Sequence, residues 1–131
     1  LRQICNEMHQ FYRNANVKEL QRLCFRASSF PELAMSPKDA YEALVANDVD
    51  YVPLESIKGR ISATLALIYP PGIGVVLPGE RWDERARPML DYFLAFQESF
   101  NRFPGFNYEV QGVYQGREDG RIRFYTYAVR E

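Results

Sequence analysis

The chain is poor in the residues on which most active sites depend. Its 131 residues include one histidine, His9, and two cysteines, Cys5 and Cys24. A single histidine cannot assemble a Ser-His-Asp triad or a multi-histidine metal site within this chain. We expect His9 to be structural or exposed. The two cysteines lie at apolar positions of helical patterns, so we expect buried free thiols and neither a disulfide nor a metal site.

Long apolar runs and an excess of charge are also missing. No apolar stretch is long enough to span a bilayer, and the opening residues LRQICNEMHQ lack the form of a signal peptide. The formal net charge of −1 gives no electrostatic reason to expect nucleic acid or an anionic membrane as a partner. We therefore expect a cytoplasmic protein that binds neither.

Aromatic residues are plentiful, at 15% of the chain. Nine Tyr, nine Phe and one Trp predict a core, or an interface, built from large flat side chains. The length allows one domain with a genuine hydrophobic core.

Helical periodicity predicts four helices. The first opens at Leu1 without a cap, so we expect a fragment of a longer polypeptide; its apolar face comprises Leu1, Ile4, Cys5, Met8, Phe11 and Tyr12. Asn16 and Glu19 have the spacing of a capping box for the second helix. The third begins with Ser36 as cap and Pro37 at its first position, and its expected buried stripe is Ala40, Tyr41, Leu44 and Val45.

The fourth helix is the longest. Asp83 is its expected cap, and because Pro88 lies about one turn in, the helix either begins late or bends. Pro104-Gly105 ends it. Its apolar stripe alternates spacings of four and three residues: Met89, Phe93, Phe96, Phe100 and Phe103.

Extended segments occupy the middle and the end of the chain. Val49 to Leu54 is a short predicted strand. Ile61 to Tyr69 is a longer one, apolar or small on both faces and therefore expected inside the fold. Tyr108 to Tyr114 and Arg121 to Val129 form a predicted hairpin joined by the charged turn Gly116 to Gly120. The fold class is thus α+β, with helices packed on a small, largely antiparallel or mixed sheet, ending in a long helix and a C-terminal hairpin.

The central stretch carries a family resemblance. GRISATLALIYPPGIGVVLPGE (Gly59 to Glu80), PGF (Pro104 to Phe106) and QGVY (Gln111 to Tyr114) occur in that order. Together they resemble the C-terminal domain of bacterial ornithine/lysine/arginine decarboxylases, which are fold-type I enzymes dependent on pyridoxal phosphate. ICNEMH and AMSPKDAY are similar to the segment that leads into this domain. The resemblance implies a helical lead-in at residues 1–30 and the C-terminal domain at residues 31–131.

The resemblance implies that the parent enzyme converts a basic amino acid to an amine of polyamine biosynthesis and CO2. PGERW, FNRFPGF and EVQGVYQ are most similar to the ornithine branch, with lysine and arginine as alternatives. Pyridoxal phosphate requires a lysine, which follows a histidine in this family. Lys18, Lys38 and Lys58 follow Val17, Pro37 and Ile57 instead. We therefore expect no catalytic, cofactor-binding or metal-binding residue in this chain, and no activity from it alone.

Five residues are candidates for the mouth of the parent's active-site channel: Tyr69, Pro70, Pro71, Gly72 and Glu80. The resemblance places this domain beside that channel, and a proline-stiffened loop holds a wall with little loss of entropy. Glu80 is either an acidic contributor to the mouth, where it meets a cationic substrate, or a structural carboxylate that accepts loop amides or pairs with Arg81.

The expected partners are the rest of the parent polypeptide, its dimer partner within a larger oligomer, and a small cationic amino acid. The aromatic face that includes Tyr125 and Tyr127 suits such a protein contact better than single-stranded nucleic acid, and Trp82 is expected in packing or at an interface. Two rival interpretations remain. One is a stand-alone binding or regulatory module that carries this domain. The other is a small independent enzyme, which the single histidine disfavours.

Overall fold

The computed structural model describes residues 1–69 and 71–131. It contains four α-helices, α1 (Arg2–Asn14), α2 (Val17–Cys24), α3 (Pro37–Val45) and α4 (Arg87–Arg102). Five strands form two antiparallel sheets, one with the order β1-β5-β4 and one pairing β2 with β3. The strands are β1 (Val49–Pro53), β2 (Leu67–Tyr69), β3 (Glu109–Gln111), β4 (Tyr114–Glu118) and β5 (Arg121–Val129). The α+β fold expected from the sequence is confirmed.

Helix α4 organises the core. A 3-10 turn, Glu84–Ala86, precedes it, and Asp83 caps that turn by accepting a hydrogen bond from the Ala86 N–H. The helix therefore begins late, with Pro88 in its first turn. Every member of the predicted stripe is buried: Met89, Phe93, Phe96, Phe100 and Phe103. Phe100 meets Phe124 of β5 edge to face at 5.2 Å, which joins the helix to the three-stranded sheet.

The C-terminal hairpin is present, with a tighter turn than expected. Gly116 belongs to β4, and the turn consists of Asp119 and Gly120, both at positive φ. Asp-Gly is the pair that such a two-residue turn favours, because its twist matches that of the flanking strands. One face of β5 is buried, through Phe124, Thr126 and Ala128.

The preceding segment, Tyr108 to Tyr114, was expected to be a single strand and is not. Its first part, β3, pairs with β2, whereas β4 starts at Tyr114 and pairs with β5. Gly112, at a φ of +73°, separates the two pairings. This positive φ lets the chain change direction between the sheets.

The central strand is also shorter than predicted. Only Leu67–Tyr69 is a regular strand, and Ile61 and Ser62 make isolated bridges to Arg81 and Ala128. The chain bends between them because hydroxyl groups bond within the segment: Ser62 Oγ donates to the Thr64 carbonyl at 2.8 Å. Leu65 and Tyr69 are exposed, so the stretch is not buried throughout.

The N-terminal helices differ from expectation in their caps and faces. Asn16 adopts the left-handed conformation at a φ of +60° and makes no side-chain cap, so the capping box is wrong. Glu19 bonds Arg22 instead. The two-residue link between α1 and α2 explains this, since a turn so short needs a positive φ that Asn tolerates. Both cysteines are free thiols, as expected, but only Cys24 is buried and Cys5 is exposed.

Helix α3 has the predicted start and a narrower buried face. Ser36 Oγ accepts the Asp39 N–H at 3.1 Å, which confirms the cap. Ala40 is buried and Leu44 packs beside it, against a small cluster formed by Val49, Ile61, Ala63 and Val129. Tyr41 and Val45 are exposed, contrary to the predicted stripe. None of the helices described here is long and apolar enough to cross a membrane.

Candidate functional site

The loop after β2 is folded back tightly on itself. The Gly72 N–H donates to the Ile68 carbonyl at 3.1 Å, and Gly72 has a φ of +74°. A Cβ at this position would lie 2.6 Å from Cδ2 of Tyr69, so the tyrosine ring packs directly on the glycine. Tyr69 remains 57% exposed and Pro71 is exposed. Pro70, one of the five candidates, lies outside the described residues.

The returning arm of the loop is anchored by Gly79, the glycine of the PGE motif. Its N–H donates to the Ser62 carbonyl at 2.8 Å, and its carbonyl accepts the Ala34 N–H at 2.9 Å. Gly79 has a φ of +90°, and a Cβ there would collide with the backbone carbonyl of Met35. Only glycine fits this position, which explains the motif by packing.

Glu80 follows that glycine and is half-buried. Its Oε2 accepts the Leu77 N–H at 2.8 Å, and its own N–H donates to the Leu77 carbonyl at 3.0 Å. Loss of hydration raises the pKa of the Glu80 carboxyl; the Leu77 hydrogen bond acts in the opposite direction, and the charge of Asp83 raises it further. The prediction that Glu80 accepts a loop amide is confirmed.

The alternative pairing of Glu80 with Arg81 does not occur. The Arg81 guanidinium lies 3.0 Å from Glu131 and 3.8 Å from Glu32, and it donates to the Gly59 carbonyl at 2.7 Å. Among the described residues, no cation forms an ion pair with Glu80. Within the described part of the chain, the Leu77 amide is the one hydrogen-bond donor found at its carboxylate.

Glu80 lines a cleft of about 230 Å³. The cleft lies between the α2–α3 connection and the loop after β2, and the other residues that line it are Cys24, Phe25, Phe30, Pro31, Gly74, Val75 and Leu77. Glu80 is the one charged residue among them. Sequence reasoning did not single out Phe25 or Phe30, since neither belongs to a helical stripe; an aromatic residue directly before Pro31 was the available signal.

The four described candidates, Tyr69, Pro71, Gly72 and Glu80, thus fall into two groups. Tyr69 and Gly72 contact each other, and Glu80 lies in the cleft with Gly74 and Leu77. No hydrogen bond among the described residues joins Glu80 to Tyr69, Pro71 or Gly72. The two groups belong to one hairpin, because Ala66 bridges Val76 across it.

The glycine of the QGVY motif closes a buried hydroxyl network beneath this hairpin. The Gly112 carbonyl accepts hydrogen bonds from Thr64 Oγ1 at 2.9 Å and from Thr126 Oγ1 at 2.7 Å. A Cβ on Gly112 would collide with the Leu65 carbonyl. This glycine therefore links the segment before β2 and the end of β3 to β5, which is a structural role. In the described part of the chain, no group of three or more His, Cys, Asp or Glu side chains is arranged to hold a metal ion.

Comparison with known proteins gives a consistent assignment. Residues 18–130 match the family described as Orn/Lys/Arg decarboxylase, C-terminal domain. The ornithine decarboxylase of Haemophilus influenzae is 46% identical over the whole chain, and the constitutive ornithine decarboxylase of Escherichia coli is 45% identical over 99% of it. The chain spans 18% of the length of each of these relatives.

A solved structure shows the same fold. Lysine decarboxylase A from Pseudomonas aeruginosa superposes with a TM-score of 0.84 at 32% identity, over 95% of this chain and 16% of that protein. A match of this quality across nearly the whole chain agrees with the motif order Gly59 to Glu80, PGF and QGVY. The chain belongs to the family of C-terminal domains of ornithine/lysine/arginine decarboxylases.

Proposed function

We propose that this chain is the C-terminal domain of a decarboxylase that converts ornithine to putrescine and CO2 with pyridoxal phosphate. The observation that carries the proposal is the alignment of ornithine decarboxylases along the full chain at 45–46% identity. Lysine is the second candidate substrate, because a lysine decarboxylase of Pseudomonas aeruginosa is 43% identical over 96% of the chain. In this proposal residues 1–30 lead in from the preceding domain and residues 31–131 form the C-terminal domain.

The residues of this chain do not fit the cofactor. Lys38 and Lys58 are solvent-exposed and form ion pairs with Glu42 and Glu84, and Lys18 is exposed at the start of α2. The glycines after β2 do not lead into a helix whose N-terminus would receive a phosphate, because the next element is the 3-10 turn Glu84–Ala86. The Schiff-base lysine and the phosphate site therefore belong to the rest of the parent polypeptide, and no catalytic step passes through this chain.

The contribution of this domain is a wall at the mouth of the parent's active-site channel. Tyr69, Pro70, Pro71 and Gly72 form one edge and Glu80 the other. The packing of Tyr69 on Gly72 supports a stiff edge. No cationic side chain among the described residues pairs with Glu80, which supports a role for its carboxylate in attracting a cationic substrate. The same domain contacts the parent's other domains and its dimer partner within a larger oligomer.

Replacement of Glu80 tests the channel wall in the intact decarboxylase. For Glu80→Gln we expect a raised KM for ornithine and a kcat much less affected, because the lost attraction acts alike on ground state and transition state. The KM difference should shrink in high salt, which screens a charge at a channel mouth. Steady-state kinetics at two ionic strengths, with ornithine and lysine compared, measure both effects.

Glu42→Gln is the matched control, because Glu42 is an exposed carboxylate on α3. It should leave KM and its salt dependence unchanged. A Glu80→Gln enzyme with an unaltered KM and a lower melting temperature would contradict the channel-mouth role and leave Glu80 as a structural carboxylate. Pro71→Gly should loosen the same edge and lower kcat if substrate positioning depends on its stiffness.

A further inference from the structure

The cleft at Glu80 combines one carboxylate with apolar walls. Phe30 and Phe25 are 51% and 40% exposed, although both are large aromatic residues, and Leu77 is 43% exposed at the opposite wall. Cys24 is buried here, and burial raises the pKa of its thiol to about 12, so the thiol stays neutral. The Glu80 carboxylate has therefore lost hydration, and no cationic side chain among the described residues pairs with it.

The two carboxylate oxygens of Glu80 differ in their hydrogen bonding. Oε2 accepts the Leu77 N–H, and no hydrogen bond to Oε1 is found among the described residues. The neighbouring guanidinium of Arg81 is held by Glu131, Glu32 and the Gly59 carbonyl. A cation that enters the cleft would therefore meet a free carboxylate oxygen in a poorly hydrated place, where an ion pair is stronger than on an open surface.

We propose that this cleft binds a primary ammonium group carried on a short methylene chain, with Glu80 as the pairing carboxylate. Phe25 and Phe30 line the cleft and are aromatic residues, which attract a cation. Val75 and Leu77 line it too and offer apolar contact to the methylenes. The ligand class is that of free diamines and ω-amino acids. The assignment of the ligand as the substrate or product amine rests on the proposed function, whereas the binding site rests on the cleft itself.

The chemistry of the cleft predicts its selectivity. An alkylammonium satisfies both the carboxylate and the apolar walls, whereas an alcohol of equal length lacks the charge and methylammonium lacks the chain. n-Butylamine should therefore bind the cleft more tightly than methylamine, and 1-butanol should not bind it measurably. A second ammonium, as in a diamine, would extend toward solvent and is not required.

Saturation-transfer NMR with n-butylamine on the intact decarboxylase tests the site. We expect the wild-type enzyme to show a class of n-butylamine binding that Glu80→Gln weakens at least about tenfold, the loss of one charge-assisted bond. Glutamine keeps a side-chain oxygen for the Leu77 N–H, so the loop should remain folded. Phe30→Ala, at a half-exposed position, should weaken the same binding about threefold.

Glu84→Gln is the control, since Glu84 is an exposed carboxylate that pairs with Lys58 outside the cleft. It should bind n-butylamine like the wild type. Equal n-butylamine binding by wild type and Glu80→Gln would overturn the inference. The proposed function would survive that result if Glu80→Gln still raised KM for ornithine, so the two failures are distinguishable.

Discussion

Glu80 carries a charge that its surroundings disfavour. Because the pKa of its carboxyl is raised in the folded protein, the folded state holds this proton more tightly than the unfolded chain does. The stability that the protonated Glu80 carboxyl contributes is fully present below the unfolded pKa of about 4.5 and is lost as pH rises through the folded pKa. Ionised Glu80 is therefore a local cost at neutral pH.

This sign gives a prediction for pH-dependent unfolding. The melting temperature of Glu80→Gln, relative to wild type, should rise as pH increases from below 4.5 toward neutrality, because only the wild type loses the protonated carboxyl. Thermal unfolding at a series of pH values measures the difference. Glu19 serves as a control of opposite sign. Its hydrogen bond with Arg22 lowers its pKa, so the stability that the ionised Glu19 carboxyl contributes is lost as pH falls. A melting-temperature difference between Glu80→Gln and wild type that does not change with pH would contradict the raised pKa.

The glycines of the family motifs are explained at the same scale. Gly72 lies against the Tyr69 ring, Gly79 against the Met35 carbonyl and Gly112 against the Leu65 carbonyl, all at positive φ. Each position therefore needs glycine for two reasons, conformation and space. Glycines at such positions report the shape of the loop, and they do not by themselves identify a residue that touches substrate.

Among the elements, helix α4 dominates the core. Phe96 is buried and meets Tyr92 and Tyr108 edge to face at 5.1 Å and 5.0 Å. Phe96→Ala removes these contacts and leaves a cavity, so we expect a loss of about 3–5 kcal/mol in the free energy of unfolding. Urea denaturation measures it.

Phe106→Ala provides the matched control, because Phe106 is 42% exposed in the loop after the same helix. Its free energy of unfolding should change by less than about 0.5 kcal/mol if Phe106 makes only surface contacts. A near-zero effect of Phe96→Ala would instead mean that the aromatic stripe is not the core of the protein in solution.

At the scale of the whole molecule, we propose that the chain is a domain without cofactor chemistry of its own. We expect the isolated 131-residue chain neither to bind pyridoxal phosphate nor to release CO2 from ornithine, lysine or arginine, because its three lysines are exposed and none of them follows a histidine. Absorbance spectra with added cofactor and borohydride trapping, followed by mass spectrometry, measure this. An internal aldimine trapped specifically at Lys18, Lys38 or Lys58 would contradict the expectation.

Local patterns predicted the fold best where one element decides its own structure. The stripe of α4, the Ser36 cap with Pro37, and the alternation along β5 follow from spacing and cap chemistry alone. Prediction failed where two distant segments share the hydrogen bonds. The stretch from Ile61 to Tyr69 alternates like one strand, yet its hydroxyl groups and bridges divide it between two sheets. Pairing of this kind depends on partners far along the chain.

The candidate site shows the same division. Glu80, the prolines and the glycines were visible as a motif, and so was the possibility that Glu80 accepts a loop amide. The cleft was not, because Phe25 and Phe30 lie about fifty residues before Glu80 and reach it through tertiary contacts, which include the packing of α2 against α4 and the bridge between Leu33 and Glu80. The sequence alone determined the fold class, the family and the aromatic core, since these depend on local periodicity and ordered motifs. Only the tertiary structure decided that Glu80 lines an apolar cleft in which no cationic side chain of the described residues pairs with it. Burial and charge pairing depend on contacts between segments distant in sequence.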